Sequence, residues 1–167
     1  MGIVIRRLPN GSQQSTASAR PEVEIHSQRT FPVARRTLFA AFENPEVLAT
    51  WWGPRGSVNS FETFDLRAGG EWLFVMHAPD GTSYPMSNQF LEVVPPERIV
   101  LRHRQAGHEF ELHMCYDAVD SAQTRLRWCM RFESAVEAAR VRAIVSQANE
   151  ENFDRLEGVV RRPSGSV

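Results

Sequence analysis

Asn44-Pro45-Glu46-Val47-Leu48-Ala49-Thr50-Trp51-Trp52-Gly53-Pro54 is the stretch from which the fold can be read. Asn44 suits a helix cap, and Pro45 suits the first helical position, where a missing N–H has no intrahelical partner to lose. Gly53-Pro54 then stops the turn. Two adjacent tryptophans cannot leave a short helix end in the same direction, so one is expected in the core and its neighbour in a groove or at a rim. Each buried ring contributes on the order of 3 kcal/mol, enough to make the pair an anchor.

Upstream of the anchor, Val23, Ile25 and Phe31 frame a first strand. Pro32 ends it and opens a helix to Phe42, with Ala34, Leu38, Ala41 and Phe42 on one face and Arg35, Arg36 and Glu43 on the other. Residues 1–20 are small and polar and are expected to form a flexible leader, with 161–167 as a tail and 21–160 as one domain.

Downstream, from Val58 on, the period changes to two. Phe61 to Leu66 alternates imperfectly, and Ala68-Gly69-Gly70 makes a turn or bulge. Trp72, Phe74 and Met76 then share one face of a strand, which Asp80-Gly81 turns into the next, Tyr84 to Val94, closed by Pro95-Pro96. Ile99, Leu101 and His103 alternate with Val100, Arg102 and Arg104; Phe110, Leu112, Met114 and Tyr116 with Glu109, Glu111, His113 and Cys115. Leu126, Trp128, Met130 and Phe132 alternate with Arg125, Arg127, Cys129 and Arg131. Such alternation predicts an antiparallel sheet with one dry and one wet face. Ser134-Ala135-Val136-Glu137 is a capping box that starts a long helix, expected to reach Glu157 and stop at Gly158. Its inward stripe reads Val141, Val145, Ala148, Asn152 and Leu156, flanked by Ile144, Asn149 and Phe153. The fold class predicted is α+β: a curved antiparallel sheet of about seven strands around a long C-terminal helix, with two short helices between strands 1 and 2.

Charge and composition narrow the function. Nineteen basic against twenty acidic residues leave a net charge of −1, so no field draws in nucleic acid or an anionic membrane. No apolar run reaches the roughly 18 residues of a membrane span. Two cysteines are too few for a disulfide framework, and a reduced, cytoplasmic chain is expected. Cys115 and Cys129 share a parity; a turn at Ser121–Gln123 would set them opposite each other on the outer face, with Cα atoms within about 6 Å. No metal or cofactor is expected. Zinc needs converging ligands, whereas the alternation sends His77 and His113 to the wet face and His103 to the dry one. Gly69-Gly70 lacks the pattern of a phosphate-binding loop. Asp65, Arg67 and Glu71 fit surface ion pairing.

Phe31 to Pro54, Asp65-Leu66-Arg67-Ala68-Gly69-Gly70-Glu71-Trp72, Pro79-Asp80-Gly81 and Phe90 to Arg98, taken in this order, resemble the homologues of the activator of heat-shock-protein-90 ATPase. That family lies in the START-like, or SRPBCC, superfamily with the helix-grip fold, and the resemblance covers about residues 23–160. It implies a cavity between sheet and long helix, which in the wider superfamily holds lipids, polyketides and other hydrophobic molecules. It implies no shared catalytic motif. Members often carry a Trp near position 149, where this chain has Asn149, so that end of the cavity is expected to be roomier or more polar. The additional N-terminal domain of the eukaryotic co-chaperone is not expected in a chain of this length, and a chaperone partner draws no support from these residues.

The function expected is therefore non-catalytic binding of a small hydrophobic molecule. The lining expected is Trp52 from the short helix and Trp72, Phe74, Met76 and Phe90 from the strands after it. Leu101, His103, Phe110, Leu112, Met114, Trp128 and Met130 follow from later strands, and Val145, Asn149 and Asn152 from the long helix. Tyr84, Asn88, His103, Tyr116, Asn149 and Asn152 put polar groups on the inner face, where each must find a partner or cost about 1–3 kcal/mol. One alternative is a cyclase, hydrolase or isomerase that uses the same pocket, with His103 or Tyr116 moving protons. Another is an interaction module, either chaperone-associated or a homodimer burying an outer strand.

Overall fold

A computed structural model describes residues 20–162. The expected leader and tail therefore lie outside the described residues, apart from Arg20, Arg161 and Arg162. The elements run β1 (Glu24–Phe31), α1 (Arg35–Glu43), α2 (Pro45–Trp51), β2 (Val58–Phe64), β3 (Glu71–His77), β4 (Ser83–Val94), β5 (Arg98–His103), β6 (Phe110–Ala118), β7 (Thr124–Phe132) and α3 (Ala135–Val160). The seven strands form one antiparallel sheet in the order β1-β7-β6-β5-β4-β3-β2. The first strand thus closes onto the last, and α1 and α2 fill the span between the two sheet edges.

Local chemistry places these elements. Asn44 accepts hydrogen bonds from the backbone N–H groups of Glu46 and Val47, at 2.9 and 3.3 Å, and so caps α2. Asn44→Ala is expected to lower stability by about 1 kcal/mol, read from the denaturation midpoint. Restoration by Asn44→Asp would identify the cap as the cause, and a silent alanine variant would remove the cap from the account. Gly53 follows at φ +93, where a Cβ would also come within 2.7 Å of the Ser57 hydroxyl. At Gly70 a Cβ would lie 2.0 Å from the Asp65 carbonyl oxygen, so the β2–β3 turn admits no side chain there. The tryptophans divide as expected: Trp51 is buried and donates from Nε1 to the Ala41 carbonyl at 2.9 Å, while Trp52 is half-buried.

The dry face carries Ile25, Trp72, Phe74, Phe90, Ile99, Leu101, Leu112, Met114, Leu126, Trp128, Met130 and Phe132, all buried, and α3 lies against β1 and β7. β7 shows the alternation most cleanly: Thr124, Leu126, Trp128, Met130 and Phe132 are all buried and the residues between them more exposed. Register shifts at Phe61/Thr63 and Phe90/Glu92 mark irregularities in β2 and β4. Bulges of this kind increase local twist and bend a strand.

Four expectations need correction. Gly158 does not stop α3, which runs on to Val160; an Arg161–Glu157 ion pair and the packing of Val159 and Val160 on the core support the last turn. Ile144 is 73 % exposed and belongs to the outer side of α3, whereas Ala138 is fully buried. Tyr84, near the start of β4, is 39 % exposed rather than inward. The cysteines are not opposite each other: Cys115 faces Arg127, and Cys129 faces His113. The connection is longer than assumed, with Ala118 paired to Thr124 around a five-residue turn, and the register moves by two. A diagonal pair of this kind is set about 7–8 Å apart. Both thiols are free.

Candidate functional site

Between α3 and the dry face lies a cavity of about 180 Å³. Its buried floor is Phe74, Leu101, Leu112 and Trp128. Met86, Gln105, His108, Phe110 and Val145 supply half-exposed lining toward one end. Trp52, Gly53 and Pro54 close another wall, so the capped α2 turn that anchors the fold also shapes the site. Larger depressions exist on the surface, such as one lined by Arg20, Glu24, Arg102, Glu109 and Arg131, but charged groups line it. The cleft under α3 differs in having a mostly apolar lining with a few polar side chains, the usual character of small-molecule sites.

Of the residues expected at the site, Trp52, Phe74, Met76, Leu101, His103, Phe110, Leu112, Trp128, Met130, Val145, Asn149 and Asn152 lie on this lining. Trp72, Phe90 and Met114 do not. Trp72 stacks on Phe74 at 4.7 Å between centroids and lies parallel to Phe90 at 6.3 Å, with Phe42 edge-on to both. This aromatic block fills the part of the sheet next to α1 and α2, so those side chains point inward without reaching free space. Met114 is buried completely on β6. Tyr116 is also outside the cavity: it packs edge-on to Phe39, and burial pushes its phenol far above the ordinary value, which removes it as a proton carrier. The added lining residues are Gly53, Pro54, Met86, Asn88, Gln105, His108 and Ala148. Gln105 and His108 come from the β5–β6 connection, and a loop has no periodicity from which its direction could be inferred.

His103 is the best-ordered polar group of the site. Asn88 donates from Nδ2 to the Trp72 carbonyl at 3.3 Å, which leaves its Oδ1 to accept from His103 Nδ1 at 2.9 Å. The imidazole stacks on Phe110 at 4.8 Å, and burial lowers its pKa, so the ring is held neutral. Its Nε2 lies 3.4 Å from Gln105 Oε1, a long contact at the loop end. His108 stands edge-on at 5.9 Å and contacts Glu137 at 3.3 Å. These two rings are the titratable groups on the lining. On the helix side, Asn149 donates to the Ser27 hydroxyl at 3.1 Å. Among the described residues, Trp128 Nε1 and Asn152 Oδ1 have no hydrogen-bond partner, although both are buried and both side chains line the cavity. A buried donor or acceptor without a partner costs about 1–3 kcal/mol.

Comparisons with known proteins agree with this architecture. A family model described as activator of Hsp90 ATPase homolog 1-like protein matches residues 32–161. Among solved structures, a protein from Arthrobacter aurescens superposes with a TM-score of 0.76 at 20 % identity, covering 88 % of this chain and 91 % of its own. A protein from Nitrosomonas europaea gives 0.76 at 23 % identity over 84 % and 95 %. The AHSA1 protein of Silicibacter pomeroyi gives 0.65 at 23 % identity over 81 % and 95 %. At such identities these structures establish the shared fold. No curated protein matches the sequence.

Proposed function

The chain belongs to the activator of Hsp90 ATPase homolog 1-like family, and from that premise we propose that it binds a compact, uncharged, mostly apolar molecule between the sheet and α3. The observation that carries the reading is a mostly apolar lining, Phe74, Leu101, Leu112, Trp128 and Met130, with His103, Asn88 and Asn149 as its few polar side chains. An apolar cavity of about 150 Å³ takes up benzene, so the 180 Å³ here suits a single ring or a short chain; longer molecules would protrude past Gln105 and His108. The lining carries no Arg, and His103 is kept neutral, so a carboxylate would be desolvated without a counter-charge. Binding without turnover is the simpler role for a lining whose titratable groups are two imidazoles.

Thermal-shift screening against phenols, short-chain alcohols, fatty acids and polyketide-like aromatics tests this directly. A phenol-sized ligand at a hundred times its Kd should add about 2.7 kcal/mol of stability. Ala148→Phe, which places a ring in the cavity, should abolish the shift while changing the unliganded Tm by only a few degrees. No shift with any class, or an undiminished shift in Ala148→Phe, would remove the cavity as the binding site. Conversion of a bound compound, lost in His103→Gln while binding persists, would replace this reading with the enzymatic one.

A further inference from the structure

We propose that Glu24, His26 and Cys129, on the outer face of the sheet and away from the cavity, form a binding site for a divalent d-block ion of the zinc class. The three ligand atoms lie within 4.8 Å of one another. His26 Nε2 is 2.9 Å from Glu24 Oε2 and 3.9 Å from Cys129 Sγ. Tetrahedral coordination with bonds of about 2.0 Å to nitrogen and oxygen and 2.3 Å to sulfur sets donors about 3.3–3.6 Å apart. Small rotations of the exposed His26 ring and of the half-buried Cys129 side chain would bring the donors to those spacings.

The backbone fixes the arrangement. His26 and Cys129 are directly opposed across β1 and β7, and Glu24 lies two residues before His26 on the same face. Arg131, opposite Glu24, donates to Glu24 Oε1 from Nε at 3.1 Å and from Nη2 at 2.9 Å. That grip leaves Oε2 directed at the imidazole, and it orients the carboxylate as outer-shell partners orient metal ligands. Glu24 is only 4 % exposed, although it lies on the sheet's outer face. Its pairing with Arg131 accounts for the buried charge but not for the imidazole and thiol gathered on the other oxygen. Beyond Cys129, His113 is its direct partner on β6, and His26, His113, Cys115 and Cys129 line one depression. The depression gives solvent access to His26 and Cys129, so water would complete a tetrahedral set.

The donor chemistry sets the class of ion. A thiolate with an imidazole and a carboxylate suits zinc and its neighbours rather than calcium or magnesium, which take oxygen ligands. On binding, the Cys129 thiol proton leaves to solvent and the His26–Glu24 contact is replaced by two bonds to the ion.

Cobalt(II) serves as the probe. The chelator-treated full chain, titrated with Co²⁺, should give a one-to-one complex with a sulfur-to-metal charge-transfer band in the near ultraviolet. Zn²⁺ should displace it and raise the Tm. Cys129→Ser should abolish the band, and His26→Ala should weaken Co²⁺ binding by about ten-fold or more, whereas Cys115→Ser should keep both band and affinity. All three substituted side chains are at least partly exposed, and the apo Tm of each variant reports that the fold is retained. Absence of the band in the parent chain, its survival in Cys129→Ser, or its loss in Cys115→Ser would each overturn the site.

Discussion

Arg155→Met is expected to lower the stability of the chain by about 3–5 kcal/mol, roughly the loss of two hydrogen bonds to a charged group. Arg155 reaches from α3 into the turn after α2. Its Nη1 donates toward the carbonyls of Trp52, Gly53 and Pro54 at 3.2, 3.0 and 2.9 Å and the Ser57 hydroxyl at 2.8 Å. Its Nη2 donates to the carbonyls of Thr50 at 2.8 Å and Ser57 at 3.0 Å. Four N–H groups are shared among six acceptors, so the contacts are not additive. They nonetheless satisfy carbonyls at the end of α2 that no helical N–H can reach. Burial lowers the guanidinium pKa, and backbone dipoles take the place of a carboxylate partner. Methionine fills much of the same volume but takes the guanidinium donors away from the Thr50, Gly53 and Ser57 carbonyls, while the Trp52 carbonyl keeps Asn59 Nδ2 and the Pro54 carbonyl keeps the Ser57 N–H and hydroxyl. Trp52, Gly53 and Pro54 are also cavity wall. Urea denaturation should show a lower midpoint with an unchanged slope, and the ligand-induced thermal shift should fall with it. Arg155→Lys should recover only part of the loss, since an ammonium cannot fork between two carbonyl groups. A methionine variant within 1 kcal/mol of the parent would mean that water serves these carbonyls equally well.

Trp72→Ala should cost a similar amount, about 3–5 kcal/mol, or a Tm lower by about 6–20 °C. The indole is fully buried, with centroids of Phe42, Trp52, Phe61, Phe64 and Phe74 4.7–5.9 Å away. Truncation opens a void that rigid rings cannot close. Trp72→Phe separates two contributions, because Trp72 Nε1 has no hydrogen-bond partner among the described residues. Phenylalanine gives up one ring of packing but also removes that orphaned donor, so its cost should stay below about 1.5 kcal/mol. If Trp72→Phe proved as costly as Trp72→Ala, the indole N–H would have to be satisfied, and the explanation by packing alone would fail.

Much of the fold was legible because its signals are local. The period of two in β5, β6 and β7 sorts side chains by face without reference to any partner strand, and the faces of Leu101, Leu112 and Trp128 follow directly. The Asn44 cap, the Asp80-Gly81 turn and the Ser134 start of α3 are each written within four residues. The division of labour between Trp51 and Trp52 follows from their adjacency. Less was legible at the site. Trp72 and Phe90 have the same parity as the lining residues, yet α1 and α2 pack the space above them. Ile144 and Gly158 sit on a helix whose apolar stripe is weak, so its inward face and its end were both ambiguous.

The sequence by itself determined the inward faces of β5, β6 and β7, the starts of α2 and α3, and hence the sheet-and-helix architecture, because pleat parity and capping depend only on near neighbours along the chain; α1, expected from Pro32, begins only at Arg35. Tertiary structure alone decided that a cleft of about 180 Å³ lies beneath α3, that Trp128 Nε1 and Asn152 Oδ1 have no partner among the described residues, and that Cys129 meets His26 and His113 rather than Cys115. Volume, hydrogen-bond satisfaction and cross-strand register are properties of pairs of distant segments. A five-residue turn, two register shifts and the packing of α3 on β1 and β7 set them, and none of these can be read from a residue and its neighbours.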